Sequence, residues 1–172
     1  MRTITIGVDL AKQVFSVCSV DTAGRVRDRR ELRREAFIRF ANEQLEAVGE
    51  PLQGVAPLEA LQGFLRDCLP DSAEDGWALW LDAWDEAMYD QELAEAYLEI
   101  NGQWQQMLAQ IVHRGVQAGV FRCSSPERVA RQLFAQTMGY ADDLLLRASP
   151  EAAEAALAEV LEVAGLLLGF ED

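Results

Sequence analysis

From Phe37 to Leu168 the apolar residues of this chain return at intervals of three and four, and the breaks between runs carry helix start and stop signals. An α-helix turns once per 3.6 residues, so this spacing gives each segment one apolar stripe that must be buried against another. Phe37, Phe40, Ala41, Gln44, Leu45 and Val48 form the first stripe, which the spacing ends at Gly49. Pro57 suits a first helical turn, Leu58, Leu61, Phe64 and Leu65 follow, and Pro70 closes that helix. Asp71 or Ser72 offers a cap for a helix bearing Trp77, Trp80, Leu81, Trp84 and Met88. Asp90 caps a long helix through Leu93, Tyr97, Ile100, Trp104, Leu108 and Ile111 to Gly119, with a bend expected at Asn101-Gly102. Ser125-Pro126-Glu127 and Ser149-Pro150-Glu151 each place a capping serine, a proline and an acid at a helix start. The two closing helices are rich in Ala and Leu, which lets helices approach closely.

The first forty residues differ. They hold nine Lys/Arg and five acids, a net +4, whereas residues 41–172 hold six basic and 24 acidic residues, a net −18. The apolar pattern there has period two. Thr3–Asp9, Val14–Val20 and Arg25–Arg30 read as strands, with a turn at Asp21-Thr22-Ala23-Gly24. The expected fold class is therefore mainly α: a helical bundle over 41–172, preceded by a small three-stranded antiparallel β appendage over 1–40.

The charge of −14 argues against broad nucleic-acid binding, since phosphates repel an acidic surface. The basic stretch Arg25–Arg39 is interleaved with Glu31 and Glu35 and lacks aromatic residues suited to stacking on bases until Phe37. Cys18, Cys68 and Cys123 are odd in number, far apart and free of a C-x-x-C pair, which fits small apolar residues in a reducing compartment. Met1–Val20 is broken by Asp9 and Lys12, so no signal peptide is expected, nor a membrane span; the expected location is the cytoplasm. His113 stands alone and no phosphate-binding glycine loop occurs, so neither a metal site, a cofactor nor an enzyme activity is expected. Ser125 reads as a cap, and Asp142-Asp143 as solvated acids or a polar edge of a pocket or seam.

The run Ile6-Gly7-Val8-Asp9-Leu10-Ala11-Lys12-Gln13-Val14-Phe15, with Ala23-Gly24-Arg25-Val26 and Arg29-Arg30-Glu31-Leu32-Arg33-Arg34, resembles the N-terminus of DEDD insertion-sequence transposases. That resemblance makes Asp9 a vestigial magnesium carboxylate. Two-metal chemistry needs several converging carboxylates, and none in the matching frame follows residue 40. No nuclease activity is expected.

Residues 41–172 resemble the C-terminal domain of BetI-like TetR-family transcriptional regulators. The residues that carry the likeness are Pro57-Leu58-Glu59-Ala60-Leu61, Trp80-Leu81-Asp82-Ala83-Trp84, Asp90-Gln91-Glu92-Leu93, Trp104–Leu108, Gly115–Phe121 and Ser125-Pro126-Glu127. The resemblance implies a repressor's ligand-sensing domain that dimerises through its last two helices. No tri-helical DNA-reading pattern stands ahead of it, so operator binding is not expected. Trp77, Trp80, Trp84, Tyr97, Trp104, Phe134, Met138 and Tyr140 are candidates to line a pocket for a small apolar or aromatic effector, or else plain core. Aromatic boxes also suit quaternary ammonium groups. Leu133, Leu144, Ala153, Leu157, Val160, Leu161, Ala164 and Leu168 are candidates for the homodimer seam, which would also accept an intact relative as a heterodimer. The competing expectations are a truncated transposase and a joined reading frame with no evolved role.

Overall fold

The computed structural model describes residues 5–6, 17–20, 26–28, 30–72 and 75–170, with side chains from Arg34 onward except at 73–75. Among the described residues six helices make up the body: α1 (Arg30–Leu52), α2 (Pro57–Asp67), α3 (Asp75–Ala87), α4 (Gln91–Gln117), α5 (Pro126–Leu145) and α6 (Pro150–Leu168).

The fold is an all-helical bundle, which corrects the expected combination of helices with a three-stranded β appendage. Helix α1 begins at Arg30 and runs through residue 40 without interruption, so the charge seam is not a structural boundary. Among the described residues ahead of it, extended pairing comprises β1 (Thr5–Ile6), β2 (Val17–Val20) and β3 (Val26–Asp28), antiparallel in the order β1-β2-β3. Stretches of two to four residues are too short to bury a face of their own, so they build no second layer. The basic residues Arg30, Arg33, Arg34 and Arg39 belong to the bundle's first helix.

The start signals act through local hydrogen bonds. Asp90 accepts from the N–H groups of Glu92 and Leu93 at 3.1 and 3.2 Å, and Ser149 accepts from Ala152 at 3.1 Å. Ser125 occupies the cap position of α5, but its side chain makes no capping bond. Helix α4 is unbroken through Asn101-Gly102, and its 27 residues rise about 40 Å. It stops at Gly119, whose φ of +72° only glycine adopts readily. The chain then folds back so that Val120 and Phe121 both donate to the Gly115 carbonyl, at 2.9 and 3.0 Å.

Helix α1 does not end at Gly49 but continues through Pro51 to Leu52. A methyl group at Gly49 would sit 2.7 Å from the Met107 Cε, so this glycine admits the close approach of α4 rather than ending α1. The carbonyls at the end of α1 are taken up by Arg114 of α4. Its guanidinium donates to Leu52 O at 2.9 Å and Gln53 O at 3.0 Å.

Helix α4 is the axis of the bundle, in contact with α1, α2, α3 and α5, while α6 packs on α5 and α2. Phe64, Leu61, Leu65, Leu108, Val112, Leu133, Val160 and Leu168 form the centre of one continuous core. Arg34 pairs with Glu92 to tie α1 to the start of α4, and Arg66 pairs with Glu154 at 3.2 Å between α2 and α6. Among the described residues no helix is long and apolar enough to cross a membrane.

Candidate functional site

Three helices bring one aromatic ring each to a common point. The Phe37 ring of α1 meets the Trp80 ring of α3 edge-on at 5.0 Å and lies nearly parallel to the Tyr97 ring of α4 at 5.7 Å. Trp80 and Tyr97 complete the triangle at 5.8 Å, again edge to face. Aromatic rings favour these offset and perpendicular arrangements because the negative face of one meets the positive rim of another. Phe37 is fully buried, whereas Trp80 and Tyr97 are half-buried and border the surface.

Burial pushes the Tyr97 phenol above the ordinary value; a hydrogen bond with Asn101 opposes this, and the carboxylate of Asp142 on α5 adds to it. A carboxylate near enough to disfavour a second negative charge favours a positive one.

Farther along the same face of α4, Trp104 stacks obliquely on Phe64 of α2 at 5.9 Å. Trp104 is 8% exposed, and its indole N–H is buried without a hydrogen-bond partner among the described residues.

The remaining candidates lie elsewhere. Phe134 is buried in the core and Met138 packs against it, both on α5. Tyr140 donates its hydroxyl to Glu159, tying α5 to α6, and that bond raises the Tyr140 pKa. Trp77 is half-buried, and Trp84 is 55% exposed on the outer side of α3 beside Leu81 and Met88. Phe37 is the member that sequence reasoning left out of the aromatic set. It stood in the stripe of a different helix, and periodicity cannot show which stripes meet.

The eight residues expected at a dimer seam are buried by their own chain. Leu133, Leu144, Ala153, Leu157, Val160, Leu161, Ala164 and Leu168 are 0–9% exposed in the single subunit, which leaves a partner little to cover. The outward sides of the same helices carry exposed Ala135 and Gly139 on α5, with exposed Leu146 just past its end, and Ala155, Glu162 and Leu166 on α6.

Two shallow clefts lie away from the aromatic triangle. One, of about 400 Å³, is bordered by Arg122, Cys123, Ser124, Ser125, Arg128, Val129, Gln132 and Leu167. The other, of about 290 Å³, lies between α1 and α4 at Gly49, Leu52, Gln53, Met107, Gln110, Ile111 and Arg114. No group of three or more His, Cys, Asp or Glu side chains able to hold a metal occurs among the described residues. Asp9 lies outside them.

Known structures share this helical fold. A transcriptional regulator from Saccharomonospora viridis, crystallised in complex with choline, superposes with a TM-score of 0.72 at 20% identity, over 82% of this chain and 75% of that one. A TetR transcription regulator from Haloarcula marismortui gives 0.70 at 19% identity, over 80% and 73%. A TetR-family regulator from Rhodococcus gives 0.68 at 18% identity, over 82% and 76%. At such identities the likeness establishes the fold. No curated protein sequence matches the chain. Nothing found supports the expected transposase-like segment over residues 1–40. The family profile of the BetI-type transcriptional repressor C-terminal domain matches residues 57–165. By that match, which spans α2 to α6 almost entirely, the chain belongs to the BetI-type transcriptional repressors and contains their C-terminal domain.

Proposed function

We propose that the helical body senses a small cation bearing a methylated ammonium group, and that two copies associate through the outer sides of α5 and α6. The observation that carries the sensing role is the triangle of Phe37, Trp80 and Tyr97, built from three helices, with the negative charge of Asp142 felt at Tyr97. Ring faces attract cations with about 0.5–2 kcal/mol each, more as water is excluded. The acidic chain, at −14, concentrates cations near its surface. The choline bound to the Saccharomonospora protein of the same fold has this chemistry.

The rings touch one another, so a cation enters by parting them. Phe37 sits on α1, which leads from residues 1–29 into the bundle and is tied to α4 by Arg34 at one end and Arg114 at the other. A ligand wedged beside Phe37 therefore tilts α1 between its two ties and transmits occupancy toward the N-terminal side. The function is sensing rather than catalysis. The outer sides of α5 and α6 would accept an intact relative as readily as a second copy.

Titration with choline, followed by thermal denaturation, tests the sensing role. A ligand at about 100 times its Kd adds about 2.7 kcal/mol to stability. Trp80→Ala should remove that gain while folding persists; an unchanged melting temperature in native protein at saturating choline refutes the assignment. Light scattering at micromolar concentration tests self-association, and a well-folded strict monomer would exclude it.

A further inference from the structure

We infer that the cleft between the α4–α5 connection and the end of α6 binds a small molecule through a phosphate group, held by Arg122 and Arg128. The cleft, of about 400 Å³, takes Arg122, Cys123, Ser124 and Ser125 from the connection, Arg128 from the first turn of α5 and Leu167 from α6. It shares no residue with the Phe37–Trp80–Tyr97 triangle, and it stands or falls apart from the sensing role proposed there.

Charge singles out this place. Residues 41–172 carry six basic and 24 acidic residues, yet residues 122–132 carry three arginines and one acid. That acid, Glu127, is engaged by His113 at 2.7 Å. Where acids are in such excess an arginine readily finds an acceptor, as Arg66 does in Glu154 and Arg114 does in two carbonyls. The guanidinium groups of Arg122 and Arg128 border one cleft and have no ion-pair or hydrogen-bond partner among the described residues. Two like charges on one cleft repel, and an anion between them turns that repulsion into attraction.

The two arginines start from firm points on different elements. The Arg122 N–H donates to Leu168 O at 2.6 Å, and its stem lies over Gly169, where an added methyl would meet the Arg122 Cβ at 3.4 Å. Arg128 is fixed by α5. The hydroxyls of Ser124 and Ser125 are also unengaged; Ser125 occupies the cap position of α5 without a capping bond. Guanidinium forks take phosphate oxygens in pairs, and a hydroxyl can donate to a third oxygen, which a carboxylate lacks. The volume is that of a small-ligand site.

Half-buried Cys123 lines the cleft, so its alkylation reads occupancy. The full chain is treated with iodoacetamide, a neutral reagent, in the presence of inorganic phosphate, glycerol 3-phosphate or succinate, with sodium chloride at matched ionic strength as the reference. Peptide mass spectrometry separates Cys123 from Cys18 and Cys68. Either phosphate at ten times its Kd should slow Cys123 about tenfold, and the lower half-protection concentration tells free phosphate from a phosphate ester as the preferred ligand. Arg122→Gln and Arg128→Gln should each raise that concentration about tenfold while thermal melts stay unchanged, and Arg128→Lys should recover part of the loss. Trp80→Ala should leave the protection intact. No protection beyond that of chloride, equal protection by succinate, or protection that survives loss of both arginines overturns the inference.

Discussion

Substituting Gly115 exposes how tightly the end of α4 is built. An alanine methyl at this position would lie 1.9 Å from Cδ2, 2.3 Å from Cε2 and 2.7 Å from Cγ of Phe121. Phe121 is 2% exposed, and its ring contacts that of Phe170 at 5.5 Å. Its backbone is fixed by the bond to Gly115 O, and its neighbour Arg122 donates to Leu168 O at 2.6 Å. The ring therefore cannot step aside and has to leave its place. Expelling a buried phenylalanine costs about as much as truncating it, roughly 3–5 kcal/mol. Alanine returns about 1 kcal/mol of helix propensity. Gly115→Ala should thus destabilise by about 2–4 kcal/mol, lowering the melting temperature by several degrees for a chain of this size. Urea denaturation followed by circular dichroism measures it. In a Phe121→Ala background the same substitution meets no ring and should stabilise by about 1 kcal/mol. A neutral Gly115→Ala, or one equally harmful in both backgrounds, would refute the reasoning.

Three further expectations follow from named contacts. Arg114→Met should destabilise by about 2–3 kcal/mol in urea titration, because two carbonyls at the end of α1 lose a charged donor, and Arg114→Lys should recover only part, since an ammonium cannot fork between them. Glu127 sits 2.7 Å from His113 Nε2, and chiefly through that hydrogen bond its carboxyl is held below the ordinary 4.5. Its folded pKa is depressed, so its contribution is present above about 4.5 and lost as pH falls through the lower folded value; Glu127→Gln should flatten the acid limb of a stability profile there, and an unchanged limb would deny the pair a role. Cys68 is buried and burial, with Asp67 adding, pushes its thiol far up, so native protein should alkylate at half-buried Cys123 well before Cys68, as peptide mass spectrometry would read; comparable rates would count against the core placement.

Much of the fold was legible because helix starts are local. Pro57, Asp90, Ser125-Pro126 and Ser149-Pro150 each act within one turn, and all four mark observed helix starts. Gly119 ends α4 for an equally local reason, its positive φ. Gly49 misled because a glycine can end a helix or admit a neighbour, and only the position of Met107 decides between them. The charge seam at residue 40 misled in a similar way. Net charge describes a surface, whereas α1 is held by Phe37 and Ala41 on its buried side, one on each side of that seam.

The amino-acid order by itself determined the number and phase of the helices from α2 onward, because hydrogen bonds and stripes three or four residues apart are contained within each segment. Only the tertiary structure decided what each stripe faces. The hydrophobic effect has no direction, so a stripe such as Leu157, Val160, Leu161 and Ala164 reads alike whether it covers its own bundle or a partner. Packing turned that stripe inward, left Leu146 and Leu166 outside, and brought Phe37 to Trp80 and Tyr97 across 43 and 60 residues of chain.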